Sequence, residues 1–338
     1  MSYRSLGRSG LTVSRLNLGS MMFGGPTDEA VSRRIIDAAS AQGINFIDTA
    51  NVYNDGESER VVGRAIAHHR HDWVLATKAG SPTRRDSRLP HNGGSSRKHL
   101  LHSVEQSLQR LDTDYIDLFY LHREDHQTPL EETVSALGDL LRQGKIRYWG
   151  LSNHRGWKIA EVVNVARRLN VDTPVAIQPL YNIVNRQAET EQFTAAAHHG
   201  LGIVPYSPLA RGVLTGKYTP GAAPAADTRA GRNDRRIQET EWRPESLALA
   251  QRIAEHAQAR GVSPAAFALA WVLANPLVSS AIAGPRTEAH WASYREALDV
   301  VLTAEDEAFI DSLVTPGHAS TPGFNDPAHF VSGRPVRT

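Results

Sequence analysis

Four side chains able to give, take or steer a proton fall at or just beyond the ends of apolar runs. They are Asp48 in INFID, Tyr53 five residues later in NVYN, Lys78 in WVLATK and His122 in DLFYLH. These types fit one chemistry. A phenol with a reference pKa near 10 is a poor acid–base catalyst at neutral pH. A neighbouring ammonium favours phenolate and is expected to lower that value. A carboxylate beside the lysine would keep it charged and in place, and an imidazole can hydrogen-bond and orient a substrate oxygen. Such a set can protonate a carbonyl oxygen as hydride reaches its carbon, or run the reverse step. Taken singly, each residue has a plainer reading as a solvated strand end, a loop aromatic or a core histidine. What decides is whether the chain brings them to one place.

The elements that would do so alternate. Short runs flank Gly7-Arg8-Ser9-Gly10, the pattern of a β-hairpin. After it, strand-like LNLGS, INFID, WVLATK, YIDLFYLH, IRYWGLS, VAIQ, GIVPYS and VSSAIAG are each followed by helical periodicity. The helices read as 28–42, 57–69, 97–110, 130–142, 157–169, 188–198, then 245–259 with 264–274, and finally 288–298 with another opening at 303. Many of the strands are apolar throughout, as parallel strands covered on both faces should be. Eight such units predict a single (β/α)8 TIM barrel over about 16–315, with a hairpin before it and a tail, 316–338, after it. Three segments are too long for simple connections: 79–96, 209–243 and the tail. The first two follow strands and so emerge at the C-terminal barrel face. Asp48, Tyr53, Lys78 and His122, from three neighbouring strands, share that face.

Composition sets the outer limits. The chain has 338 residues, 41% hydrophobic and 22% charged, a globular mixture with ample material for a core. A net charge of +1 with interspersed signs implies no nucleic-acid face. With no cysteine, disulfides, thiolate metal sites, iron–sulfur clusters and cysteine nucleophiles are excluded. No apolar run approaches a membrane span, and the first residues lack the apolar region of a secretory signal, so a cytoplasmic protein with no membrane partner is expected. The histidine groups His68-His69, His71 and His198-His199 read as surface residues at helix ends, and His126, four residues from His122, adds no metal site. No metal is expected. Oligomeric state is not legible.

Six stretches, in order, resemble the aldo-keto reductase family in its general and channel β-subunit-like branches. They are DTANVYNDGESE (48–59), LATK (75–78), DLFYLH (117–122), GLSN (150–153), IQPLYN (177–182) and YSPLARGVLTGKY (206–218). The likeness covers nearly the whole chain. It implies Tyr53 as general acid–base, Asp48 and Lys78 as its tuners, His122 as the substrate-orienting group, and NADPH bound across the barrel mouth, with NADH weaker. The absence of any G-x-G-x-x-G fits binding without a Rossmann domain. By position, the resemblance places Ser152, Asn153 and Gln178 on the nicotinamide carboxamide and Tyr206 against its ring. It places Ser207, Pro208, Leu209, Gly212 and Lys217 on the pyrophosphate. Gly284 would allow a turn that lets Arg286 meet the 2′-phosphate. His290 and Tyr294 stand where glutamine and asparagine are common in the family, so adenine could stack on a ring instead.

The substrate would be a small carbonyl or alcohol compound. Met21, Met22, Phe23 and Val52 are expected to wall its pocket, and Arg84, Arg85 and Arg88 could meet an anionic group, though a solvated loop is the plainer reading. Two other functions compete. A regulatory or redox-sensing subunit that binds NADP(H) with little turnover would not need the full catalytic set. A carboxylate-based barrel hydrolase needs a second acid across the cavity, and none is as well placed as Asp48.

Overall fold

The structure, a computed structural model, describes residues 2–83 and 91–327. Two antiparallel strands come first, β1 (Tyr3–Ser5) and β2 (Thr12–Ser14). Eight parallel strands follow: β3 (Leu16–Gly19), β4 (Phe46–Asp48), β5 (Val74–Ala79), β6 (Ile116–Leu121), β7 (Ile146–Ser152), β8 (Ala176–Gln178), β9 (Gly202–Ile203) and β10 (Ala281–Ala283). They pair in the order β10-β3-β4-β5-β6-β7-β8-β9. The two ends of this row meet where Ser279 N donates to Ile203 O at 2.9 Å and Ile282 N to Pro205 O at 3.0 Å. The sheet is thus a (β/α)8 barrel.

Helices α1 (Glu29–Ala41), α2 (Glu57–Ile66), α3 (Arg97–Leu111), α4 (Leu130–Arg142), α5 (Gly156–Arg168) and α6 (Gln192–His199) follow β3 to β8 in turn. Between β9 and β10 lie α7 (Arg235–Thr240), α8 (Pro244–Ala259) and α9 (Pro264–Ala274), and α10 (Glu288–Arg295) and α11 (Ala304–Leu313) close the barrel. Side-chain caps start several of them. Asp28, Ser96 and Ser263 each accept a first-turn amide, and Thr303 with Asp306 forms a reciprocal capping box.

The hairpin plugs the N-terminal end of the barrel. Leu6 and Val13 join the interior cluster of Phe46, Val74, Leu118 and Val204. Arg8 N donates to Gly200 O at 2.9 Å. Gly7 has φ +60°, and a Cβ there would lie 2.5 Å from Gly200 O, so this close approach requires glycine.

Several expected boundaries move, each for a local reason. The helix expected over 57–69 ends at Ile66 and tightens into a 3₁₀ turn, Ala67–Asp72. There Arg70 reaches across to Trp73 O, Tyr115 O and the Asp117 carboxylate. GIVPYS yields only Gly202–Ile203 as regular strand, because Pro205 has no N–H to donate to the ladder. The helix expected over 188–198 divides into a 3₁₀ turn, Gln187–Glu189, and α6. Segment 209–243 is more ordered than its sequence suggests. It holds a 3₁₀ stretch, Ala210–Thr215, and α7, and it buries Val213, Leu214, Tyr218, Ala230 and Ile237.

The described part of the tail lies against the loop after β8. Arg186 N donates to His318 O at 2.9 Å and Ser320 N to Val184 O at 3.0 Å. The Arg236 guanidinium then grips Asp326 through both Nη atoms, at 2.6 and 3.1 Å. The tail therefore reaches the C-terminal face. Among the described residues no helix is long and apolar enough to cross a membrane.

One buried network fastens α2 and α3 to the strand that carries Lys78. The fully buried Glu59 accepts from Thr77 Oγ1 at 2.6 Å and from Arg110 Nε at 2.6 Å. Glu59→Ala strips both partners and leaves the largely buried Arg110 without its carboxylate. Stability in urea unfolding is expected to fall by about 3–5 kcal/mol. Glu59→Gln, which keeps an acceptor for Thr77, should lose less. Equal midpoints for wild type and Glu59→Ala would show that the network contributes nothing to stability.

Candidate active site

Side chains along a strand alternate between the barrel interior and the helix layer. Phe46, Ala76, Tyr120, Ala176 and Val204 belong to the interior cluster. Two residues further along the same faces come Asp48, Lys78, His122, Gln178 and Tyr206. Ser152 follows Gly150 likewise, a Cβ on Gly150 falling 2.6 Å from the Tyr120 ring. Period two and the strand ends therefore bring six expected residues to one face of the barrel.

Lys78 is the centre of the set. Its side chain is 0% exposed. The ammonium donates to Asp48 Oδ1, to Thr49 O at 2.8 Å and to Tyr53 Oη at 3.2 Å, and lies 4.8 Å from the Tyr53 ring centroid. Gln178 Nε2 donates to the other Asp48 oxygen at 2.9 Å. His122 stands edge-on to Tyr53, with ring centroids 6.1 Å apart.

Burial and charge compete at each group. Burial pushes the Lys78 ammonium toward neutrality, but Asp48 and Tyr53 more than compensate, and its pKa is raised. For Asp48, burial raises the carboxyl above its usual range while Lys78 and Gln178 oppose that shift. Tyr53 differs from the sequence expectation. Burial raises its phenol above 10, outweighing the lowering effect of Lys78. The phenol is therefore held protonated, a proton donor at neutral pH. His122 falls to about 3, first through burial and then through the positive charges of Lys78 and Arg123. Its imidazole is neutral, and its Nδ1 is buried with no hydrogen-bond partner among the described residues. A neutral ring retains one N–H for a substrate oxygen.

Beside this set, Asn153 has a left-handed backbone (φ 57°) and links three strand ends. Its Nδ2 donates to His122 O at 2.8 Å and to Ser152 Oγ at 3.1 Å, and its Oδ1 accepts from Tyr206 Oη at 2.8 Å. Ser152 Oγ donates to Gln178 O at 2.8 Å. Burial raises the Tyr206 phenol to about 12, so it remains a neutral donor to Asn153.

Past Tyr206 the backbone is strained. Ser207, Ala210 and Arg211 have φ of 55°, 47° and 54°, and Gly212 and Gly216 follow at 98° and 76°. Pro208 and Leu209 are buried within the turn. Asn182 Nδ2 holds Ser207 O at 3.0 Å. Glycine is required at 212 by its φ. The Lys217 ammonium lies over that position, 2.9 Å from where a Cβ would sit. Burial, and next the charge of Arg286, lower the Lys217 pKa. Arg286 Nη1 donates to Asp227 O at 2.9 Å, and its amide donates to His290 Nδ1 at 3.4 Å. Two cations that oppose each other beside a left-handed turn suit a phosphate-bearing ligand.

Two expectations give way here. Gly284 does not have a left-handed φ, and a Cβ would meet nothing closer than Gly19 O at 3.7 Å, so this turn does not need glycine. Tyr294 is 9% exposed and lies nearly parallel to His290, ring centroids 6.2 Å apart. The half-buried His290 is the more accessible ring of the two.

Met21, Met22 and Val52, expected to wall a substrate pocket, are half-buried. Phe23 is fully buried in the core beneath them and offers a ligand no surface. Arg84, Arg85 and Arg88 lie outside the described residues. Among the described residues no group of three His, Asp or Glu side chains could hold a metal ion. The sequence reading missed Thr49 O, the Asn182 brace and Asn54, whose amide binds the loop after β3. The Asn-Asp-Gly run after Tyr53, three residues tolerant of left-handed backbone, was the available signal for the last.

A family model for the aldo/keto reductase family matches residues 15–315. The chain belongs to that family. This aldo/keto reductase is 38% identical over 308 residues to a probable voltage-gated potassium channel subunit beta of Arabidopsis thaliana, covering 89% of this chain and 92% of that protein. It is 36% identical over 330 residues to the uncharacterized oxidoreductase YrpG of Bacillus subtilis, covering 95% and 98% of the two chains. To the aldo-keto reductase AMT2 of Alternaria alternata it is 34% identical over 339 residues, covering 92% and 90%.

The raised Tyr53 phenol gives a direct test on this aldo/keto reductase without ligand. In NMR of tyrosine-labelled protein, the resonance lost in Tyr53→Phe should titrate only above about pH 10, the ordinary phenol range. Lys78→Met, which removes the lowering charge, should move it higher still. A Tyr53 midpoint below that range would mean that Lys78 outweighs burial.

Proposed function

We propose that this aldo/keto reductase reduces the carbonyl of an aldehyde or ketone to the alcohol with NADPH, and oxidises secondary alcohols in reverse, with Tyr53 as general acid–base. The observation that carries this reading is the buried Lys78 ammonium bonded at once to Asp48 and to the Tyr53 hydroxyl. That arrangement fits a protonated phenol facing an oxygen that gains negative charge. His122, neutral and edge-on to Tyr53, would orient that oxygen with its N–H. Bound dinucleotide would supply or accept the hydride.

Residues suited to hold it surround the set. Ser152, Asn153 and Gln178 would meet the carboxamide and Tyr206 the ring. Ser207, Pro208, Leu209, Gly212 and Lys217 would meet the pyrophosphate, and Arg286 with His290 the adenosine 2′-phosphate. The mutual repulsion of Lys217 and Arg286, relieved by a bound phosphate, supports this placement. A second reading draws on the relatives named as potassium channel β subunits, 38% identical over 92% of their length in the Arabidopsis case. In it the barrel binds NADP(H) and regulates a partner with little turnover. Turnover of simple aldehydes under NADPH separates the two.

Tyr53→Phe should lower carbonyl reduction about 10²–10⁴-fold while leaving NADPH affinity nearly unchanged, because the hydroxyl supplies the proton but does not hold cofactor. Wild-type turnover in this variant, with the chemical step rate-limiting, would reject the assignment. Arg286→Ala should weaken NADPH roughly tenfold or more in a fluorescence titration, and NADH far less. A phosphate is a stronger partner for the guanidinium than the Asp227 carbonyl it now holds. Equal losses for both dinucleotides would remove Arg286 as the discriminator.

A further inference from the structure

Tyr53 opens a turn with three consecutive left-handed residues, Asn54 (φ 47°), Asp55 (φ 55°) and Gly56 (φ 90°). Asparagine tolerates this region, but Asn54 also makes specific contacts. Its Nδ2 donates to Phe23 O at 2.8 Å and to Met21 O at 3.0 Å. These carbonyls bracket Met22 in the loop after β3. Gly25 leaves room for the amide, since a Cβ there would lie 2.5 Å from Asn54 Oδ1. The loop is bonded to itself through Phe23 N to Ser20 O, Gly24 N to Thr27 O and Thr27 N to Met22 O, at 2.9, 2.9 and 3.0 Å. On its far side Thr27 Oγ1 donates to Arg286 O at 3.0 Å. Loop 20–28 thus rests on the Tyr53 turn at one flank and on the Arg286 turn at the other.

We infer that Asn54 is a positioning residue: its amide clamps the Tyr53 turn to the loop bearing Met21 and Met22, holding the proton donor and the apolar substrate wall in one register. The inference rests on Tyr53 acting as proposed above. A carbonyl oxygen set between Tyr53 and His122 then has its apolar substituent at a fixed distance from Met21 and Met22. The clamp should matter most for carbonyls with bulky apolar substituents, which need both surfaces at once, and less for short aldehydes.

Two variants of the full chain separate clamping from backbone tolerance. Asn54→Gly accepts the left-handed backbone and removes the donors. Asn54→Asp keeps the size and that tolerance, but turns a carboxylate toward two carbonyl oxygens. Amide hydrogen exchange at Phe23, Gly24 and Thr27 should accelerate in both variants, on the order of tenfold for the loss of one or two neutral hydrogen bonds. With NADPH, kcat/KM for a bulky aromatic ketone should fall by about the same factor, mainly through KM, and less for a short aldehyde. The alkaline limb of the pH profile should shift as the Tyr53–Lys78 distance loosens, while NADPH affinity and melting temperature stay near wild type. Unchanged exchange and unchanged kcat/KM in Asn54→Gly would overturn the inference. So would a parallel loss of melting temperature and NADPH affinity, which marks a general structural role. Should the wild type reduce no carbonyl, the functional reading fails. The exchange data still judge the clamp, faster exchange in Asn54→Gly supporting it and unchanged exchange overturning it.

Discussion

An ammonium with no exposed surface must find its partners inside the protein, and the site is built around that constraint. Left unpaired, the Lys78 charge would cost several kcal/mol of stability. All three acceptors come from the chain leaving β4: the Asp48 carboxylate, the Thr49 carbonyl and the Tyr53 hydroxyl. Gln178, from the far side of the barrel, fixes the second Asp48 oxygen. The path of residues 48–53 is therefore dictated by β5, whose lysine it must satisfy. The same geometry couples the lysine to the phenol. Because burial acts on the phenol as well, the outcome is a protonated tyrosine. A hydroxyl held in that state is set to give a proton rather than take one.

The fold supplies position, and its loops hold the strain. Strand alternation alone places Asp48, Lys78, His122, Ser152, Gln178 and Tyr206 on one face. The connections after the strands do the rest at a conformational cost. Six of the ten non-glycine residues with left-handed backbone among the described residues are Asn54, Asp55, Asn153, Ser207, Ala210 and Arg211, all in loops at this face. Such strain persists only where the surroundings over-determine it. Asn54 is tied to two carbonyls, Asn153 to two strand ends and a phenol, and Ser207 to Asn182. At the opposite end the hairpin carries none of this load and fills the barrel with Leu6 and Val13.

What was legible in the sequence was what period two and residue type determine. Eight apolar runs, seven of them ending on a polar residue, were enough to place the barrel and the face that gathers Asp48, Lys78 and His122. Properties that depend on depth were not legible. The Tyr53 pKa turns on whether burial or Lys78 prevails, and a string of residues shows the lysine but not the burial. Phe23 reads like its neighbours Met21 and Met22, yet its N–H donates to Ser20 O and its carbonyl accepts from Asn54 Nδ2, and its ring is buried in the core. Gly284 reads as a glycine that allows a turn, but its backbone and surroundings would admit a side chain. Segment 209–243 looks irregular because its buried residues are spaced by tertiary contacts rather than by helical period.

The charges at the barrel mouth are distributed unevenly, and this shapes what can bind where. Beside Tyr53 the Lys78 charge has its opposite at hand in Asp48, and the neighbouring imidazole is neutral. At the other rim Lys217 and Arg286 repel one another, and Asp227 offsets only part of that repulsion. An anionic ligand would relieve the repulsion at the second rim. The first side instead presents the half-buried Met21, Met22 and Val52. Under the proposed function, the phosphates of a dinucleotide would meet the Lys217 and Arg286 rim, and an uncharged carbonyl compound the side of Met21, Met22 and Val52. Loop 20–28, bonded to the Tyr53 turn through Asn54 and to the Arg286 turn through Thr27, fixes the distance between the two sides.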